Sequence, residues 1–365
     1  TEHFKTILYR GDDRTGRPIP VGFRPDLIWF KCRNTVVSWV QCDSLRGPTS
    51  HLNSNGTNAE STQDQTSYLR SFDEDGFTLS DGANSGGNTD GRTYAAWCWR
   101  AGGEPTSTNS GGRNATEGSV MIDGKKVTNY EYPSANIYPT KMSVNTVAGL
   151  SIIQFEGNGT NGATVAHGLP KKPGLILHKN IDRTQAWPVF HQAAQNSGNG
   201  ATDVHYFSQH NTGTSDNLRS VNDETYAMTS WNGSNANNET NVAWCWHEVP
   251  GYSKFGRYVG NANSAHGPFI NCGFKPAMVI IKGPNDHWCM HDSARQPGND
   301  NISQINPNLN NAEYSGGNPI NFVSNGFMLG GSNTGGAPGT RTNGNGTIYL
   351  YIAFAESPFK YANAK

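Results

Sequence analysis

Residues Gly22 to Lys31 read GFRPDLIWFK, and the phrase returns twice: as GFKPAMVIIK from Gly273 to Lys282, and, two residues longer, as GLPKKPGLILHK from Gly168 to Lys179. The step from proline to lysine is the same each time: Pro25 to Lys31, Pro173 to Lys179 and Pro276 to Lys282. A tryptophan follows each lysine, at Trp39, Trp187 and Trp288. Leu27 to Phe30 and Met278 to Ile281 are unbroken apolar runs of strand length. Such a run reads as a strand covered on both faces. The upstream proline sets an extended entry and stops pairing before it.

Working outward, the rest of the unit recurs in the same order. Asp43-Ser-Leu-Arg46 matches Asp292-Ser-Ala-Arg295, and Asp75-Gly76-Phe77 matches Asn325-Gly326-Phe327, with Tyr226 near that place in the second copy. Each copy opens on a strand ending aromatic-x-Gly, at Tyr9/Gly11, Phe155/Gly157 and Tyr258/Gly260. Each closes on an aromatic-small strand: Tyr94 to Trp99, Val242 to Trp246, and Tyr351 to Glu356. Five ordered matches in three places indicate internal repetition. Strand-like runs alternate with Gly, Asn, Asp and Pro clusters, and no segment keeps a helical period. The expected fold is all-β: three diverged repeats of a small antiparallel β-sandwich, lectin-like or jelly-roll in type. The repeats are expected at 1–103, 148–250 and 251–365, with an inter-repeat insert at 104–147. In this reading the Asp-Gly and Asn-Gly pairs supply positive φ for tight turns. Trp97 and Trp244 are expected as core anchors, with Phe354 filling the same place in the third copy.

The insert begins Gly/Ser/Thr/Asn-rich and then carries Tyr130, Tyr132, Ile137, Tyr138 and Met142. That is too aromatic for a free linker. Two readings are open: contact with another copy or another protein, or packing across its own units to cover a sheet edge.

Composition narrows the function. Among 365 residues, 16% are charged, the net charge is −1, and 10% are aromatic with 9 Trp. Disorder would need high net charge with few aromatics, so the chain reads as ordered and loop-rich. Basic residues are scattered, which argues against nucleic acid. No apolar run approaches the length of a membrane span. Thr1-Glu2-His3 has no basic n-region or apolar core, so the expectation is synthesis in a cytoplasm without the usual export. The six cysteines lack metal-site spacing and are expected as reduced, buried thiols.

Three constellations invite chemistry. His287, Cys289 and His291 would share one strand face, but neighbours there stand about 7 Å apart, and the other copies carry Ser38, Val40, Cys42 and Ala186, Pro188, Phe190. The expectation is no metal and no cofactor. Asp43/Arg46 and Asp292/Arg295 read as turn chemistry, the Asp capping backbone N–H groups and the Arg clamping the carboxylate. Lys31, Lys179 and Lys282 read as charges that blunt a sheet edge. Asp73-Glu74-Asp75 has no counterpart in the other copies. Neither a nucleophile elbow nor a His-Glu-x-x-His motif is present, and Gly330 to Gly336 lacks the lysine of a phosphate loop. No catalytic residue is assigned, and an enzyme is not expected.

The GF-x-P…K, D-S-x-R, D/N-G-F and A-W-C-W phrases, with Ala353-Phe-Ala-Glu-Ser-Pro-Phe359, resemble a repeat family of virion structural, tail fibre-like proteins of marine tailed bacteriophages. The resemblance covers nearly all of the chain except 104–147. It implies a lectin-like sandwich fold and an exposed structural or adhesive role on the particle, with a tail fibre or tail-associated host-recognition protein leading. A capsid-surface fibre or decoration protein, and a free carbohydrate-binding lectin module, are the alternatives. The partners implied are other virion proteins, further copies of the chain (a trimer among the options) and host surface glycans. The chain has no coiled-coil heptads, so a trimer would form through sandwich faces or the insert.

Overall fold

A computed structural model describes residues 3–62, 68–80, 87–194, 204–208, 212–213, 217–263, 265–284, 286–298, 301–330 and 342–355. The glycines at 331–336 and the phrase at 356–359 lie outside the described residues. Among those described, the only helix is the single turn Asn232–Asn235.

Each repeat folds as two facing antiparallel sheets. In the first, the inner sheet runs in the order Phe4–Arg10, Thr93–Trp99, Leu27–Cys32, Val40–Asp43. The outer sheet runs Arg17–Pro20, Gly76–Leu79, Leu69–Asp73. The third repeat has inner strands Ser253–Val259, Ile348–Phe354, Met278–Lys282 and Trp288–Asp292 in the same order. The second has Leu150–Glu156, Thr240–Trp246, Leu175–Asn180 and Pro188–His191 at the same places.

Alternation along the inner strands serves two cores. In the first repeat Ile28, Phe30, Ala96 and Cys98 face the outer sheet and its Ile19, Phe77 and Leu79. Leu27, Trp29, Trp97 and Trp99 face the other way, into a core shared by all three repeats. This double coverage is why Leu27–Cys32 is buried at every position. At the centre, Trp99, Trp246 and Phe354 form a near-equilateral triangle, with ring centroids 6.4, 6.0 and 6.1 Å apart. The three sandwiches therefore close around one pseudo-threefold axis within a single chain.

That triangle corrects one assignment. Leu27 pairs with Trp99, Leu175 with Trp246, and Met278 with Phe354. Phe354 is thus the counterpart of Trp99 and Trp246, while Ile352 stands where Trp97 and Trp244 do. The sequence alignment slipped by two residues, which preserves the face and so leaves the apolar pattern intact. Trp97 and Trp244 are both fully buried.

The turn glycines also have a different reason. Gly76 and Gly326 are not among the positive-φ residues. Instead, a Cβ on Gly76 would run into the Ile19 carbonyl, and one on Gly326 into the Ile270 carbonyl. They are glycines because a neighbouring strand's backbone passes against them.

The insert is built into the second repeat. Lys141–Asn145 pairs with Leu150–Glu156, Val120–Ile122 runs parallel to Lys141–Asn145, and Lys125–Lys126 completes the edge. Val204–Tyr206 and Thr212–Gly213 extend the opposite edge, giving a nine-stranded sheet. Val120, Tyr132, Ile137, Met142 and Val144 are buried against the second repeat's own core. The apolar surface that invited an intermolecular interface is therefore consumed within the chain. Of the two readings of 104–147, the geometry is that of the sheet-edge cover.

Candidate functional site

The Asp-x-x-Arg turns are buried ion pairs that also join repeats. Asp43 accepts from the Leu45 and Arg46 amides, both at 3.1 Å, and Arg46 Nε donates to its second oxygen at 2.7 Å. Arg46 also reaches Glu60 at 2.9 Å and lies over the ring of Trp244 in the second repeat, 5.7 Å from its centroid. In the third repeat Arg295 donates to Asp292 at 2.5 Å and to Glu313 at 3.2 Å, and lies 5.6 Å over Trp97 of the first. Trp97 Nε1 in turn donates to Asp292 at 3.1 Å. The second repeat has His191 here. Its Nδ1 accepts from the Ala193 amide at 3.2 Å, which leaves Nε2 to donate to the Tyr351 carbonyl of the third repeat at 3.1 Å. One ring thus does what the Asp/Arg pair does elsewhere: it caps the turn and reaches the next repeat.

The tryptophan after each lysine seals the same junctions. Trp39 Nε1 donates to the Asn306 and Leu309 carbonyls of the third repeat at 2.9 and 3.0 Å. Trp187 Nε1 donates to the Gly56 carbonyl of the first at 3.0 Å. Trp288 packs on Phe207 of the second at 5.3 Å. Each of these tryptophans reaches the preceding repeat, whereas Arg46, His191 and Arg295 reach the following one, so every junction is held from both sides and the ring closes.

The repeated lysines do not blunt an edge. Lys31, Lys179 and Lys282 lie on strands flanked on both sides, and all three are buried. Lys179 Nζ donates to the Asn180 and Arg183 carbonyls at 2.5 and 2.9 Å; Lys282 Nζ donates to those of Gly283 and Asp286 at 2.8 and 2.6 Å. Each ammonium ties down the loop that follows its strand. Burial lowers all three to about 8. Their sequence signal was clear, but edge and interior strands share the pattern of an apolar run ending in lysine.

His287, Cys289 and His291 do not converge on an ion. His287 Nδ1 bonds the Asn308 amide at 2.9 Å, and the Cys289 thiol points to the His287 carbonyl at 3.7 Å. Among the described residues no group of three His, Cys, Asp or Glu side chains could hold a metal. All six cysteines are buried thiols outside any disulfide, and burial pushes the Cys98 and Cys245 thiols well above their ordinary value.

The surface feature with binding chemistry was missed in the sequence. A cleft of about 480 Å³ opens at the seam between residues 104–147 and the second repeat. Its walls include Asn136, half-buried Tyr138, Thr140, Glu156, Asn158 and Asn238. Asn136 Oδ1 accepts from the Thr164 amide at 2.9 Å, and Asn158 Oδ1 from the Thr160 amide at 2.9 Å. These bonds fix both amide groups. Fixed amides, a carboxylate and a phenol ring together match the hydroxyls and flat faces of a saccharide. The residues lie far apart along the chain, and abundant asparagine hid the few that converge.

A family model described as a domain of unknown function, DUF7483, matches residues 1–137 and again 133–358. No curated protein and no solved structure matches the chain.

Proposed function

The chain belongs to the DUF7483 family, and from that premise we propose that it is a non-enzymatic structural and adhesive component of a bacteriophage particle, acting as a tail fibre or tail-associated host-recognition protein. The observation that carries the reading is the closure of three sandwiches around Trp99, Trp246 and Phe354. A protein exposed on a particle must keep its shape without cellular maintenance. Here rigidity comes from a shared core and buried ion pairs rather than from disulfides. The Asn/Tyr cleft supports the adhesive half, with surface glycans as the partner class. Other virion proteins and further copies are the proposed assembly partners, and a capsid-surface position fits the same body. Cross-linking with mass spectrometry on purified particles tests the location: links to tail proteins are expected, and absence from the particle overturns the proposal. A glycan array with wild type and Tyr138→Ala tests adhesion: specific binding lost in the variant is expected, and no binding by wild type removes the adhesive half.

A further inference from the structure

The three outer sheets share one arrangement but treat one edge differently. Each has a short edge strand at the same place: Arg17–Pro20 in the first repeat, Ala163–Ala166 in the second and Phe269–Asn271 in the third. Their registers match, because Ile19 pairs with Phe77, Val165 with Tyr226 and Ile270 with Phe327. Pro18, Thr164 and Phe269 are therefore equivalent, as are Pro20, Ala166 and Asn271. Two residues beyond each pair, the Val21, His167 and Cys272 amides donate inward to the Asp75, Glu224 and Asn325 carbonyls at 2.7, 3.2 and 2.8 Å. Alternate residues of an antiparallel strand turn their N–H and C=O to the same side. Positions 18 and 20, 164 and 166, and 269 and 271 thus turn theirs away from the sheet.

Such an outward row is a template for another strand, and native edges are blunted or covered. The first repeat blunts its edge: Pro18 and Pro20 have no N–H to offer. The second covers it with its own insert. The Thr164 amide donates to Asn136 Oδ1 at 2.9 Å, and the Asn136 and Ile137 amides donate to the Thr164 carbonyl at 3.1 and 2.9 Å. The third does neither. Among the described residues, Phe269–Asn271 pairs with Gly326–Leu329 alone, and the outward backbone groups of Phe269 and Asn271 meet no partner. Beside this open edge the outer face of the sheet is apolar. Phe269 and Met328 are cross-strand neighbours, 49% and 37% exposed. The first repeat has Pro18 and Thr78 there, and the second Thr164 and Ala227.

We propose that Phe269–Asn271 is a docking edge for an extended segment of a partner polypeptide, which adds as a further strand and lays an apolar side chain over Phe269 and Met328. The covered edge of the second repeat defines the chemistry of the occupant. It is an asparagine whose side chain accepts the outward N–H, followed by an aliphatic residue and an aromatic ring, as in Asn136-Ile137-Tyr138. Main-chain bonds supply affinity in this mode, and the apolar pair supplies side-chain preference. The chain's own insert does not fill the edge, because it is built into the second repeat. The proposal rests on this edge alone and depends neither on the Asn/Tyr cleft nor on a place in a particle.

A fluorescent peptide with the sequence of residues 133–140, PSANIYPT, is the probe. Titrated with the full chain, its anisotropy should rise to saturation. Phe269→Pro copies what the first repeat carries at the equivalent position. It should weaken binding at least about tenfold, the worth of one hydrogen bond together with the lost ring contact. Val36→Ser, at an exposed apolar residue of the first repeat, should leave binding unchanged. Should Phe269→Pro fail to fold, amide hydrogen exchange of wild type replaces it: the peptide should slow exchange over 269–271 severalfold. Absence of saturable binding, equal binding by Phe269→Pro, equal loss in Val36→Ser, or unchanged exchange over 269–271 each overturns the proposal. A dimer of the chain that Phe269→Pro abolishes would place a second copy on the edge, and overturns it as well.

Discussion

At the scale of single residues, the junctions between repeats rest on a few buried charges. Asp292 holds Arg295 and also accepts from Trp97 across the junction, whereas Asp43 holds Arg46 without a tryptophan donor, the Trp244 Nε1 making no such bond. Removing either carboxylate leaves a buried guanidinium short of its partner, at a cost of about 3–5 kcal/mol. Asp292→Ala should be the worse of the two by about 1 kcal/mol, because Trp97 Nε1 loses its acceptor as well. Denaturant unfolding of both variants checks the order; equal costs would mean the Trp97 bond contributes nothing. The turn itself was legible, since Asp-x-x-Arg after a strand has a local mechanism. Glu60 and Glu313 were not, because they stand 14 and 18 residues along the chain from their arginines, and the tryptophan rings were not, because those contacts join repeats and leave no local spacing to read. Trp99→Ala, at the axis, should cost about 3–5 kcal/mol through the cavity it leaves.

At the scale of elements, residues 104–147 are the part of the chain where composition was informative and position was not. The Tyr and Met content required burial, but only the sheet showed against what. Lys141–Asn145 covers the edge of Leu150–Glu156, and Tyr132 is buried with its hydroxyl donating to the Pro139 carbonyl at 3.1 Å. Deleting 104–143 should therefore expose a strand edge and an apolar face together, and yield an insoluble or unfolded chain. A soluble deletion variant with the native circular dichroism spectrum would contradict this. Tyr132→Ala alone should cost roughly 3–5 kcal/mol. Strand edges cannot be told from interiors by apolar runs, which is also why the three lysines read as edge charges.

At the scale of the whole molecule, the shared core makes the repeats interdependent. The first repeat by itself would expose Leu27, Trp29, Trp97 and Trp99. Residues 1–103 expressed alone should fail to fold, and the full chain should melt in one transition; a folded, monomeric 1–103 would refute the interdependence. Acid should weaken the whole assembly. His3, His51, His167, His178 and His191 are each held down to about 4, chiefly by burial. They stay neutral in the fold while the unfolded chain takes up protons from about 6.5 downward. Their contribution is full above about 6.5 and is lost as pH falls through about 4. Asp26, raised by burial, acts in the opposite sense as one group against five. Melting temperature followed from pH 7 to pH 4 should fall; a flat profile would mean these rings are solvated.

The sequence by itself determined the all-β class, the threefold repetition, the double coverage of the Leu27 and Met278 strands, and the Asp-x-x-Arg turns. Each of these is written in spacing along one strand or one turn. It did not determine that the three copies close on one axis, that Phe354 rather than Ile352 meets Trp99 and Trp246, or that the repeated lysines are buried inside sheets rather than set at an edge. Those follow from how separate sheets stack and where loops are pulled. A slip of two residues keeps the same face of a strand, and a lysine that closes an apolar run looks the same in sequence at a sheet's edge and in its interior.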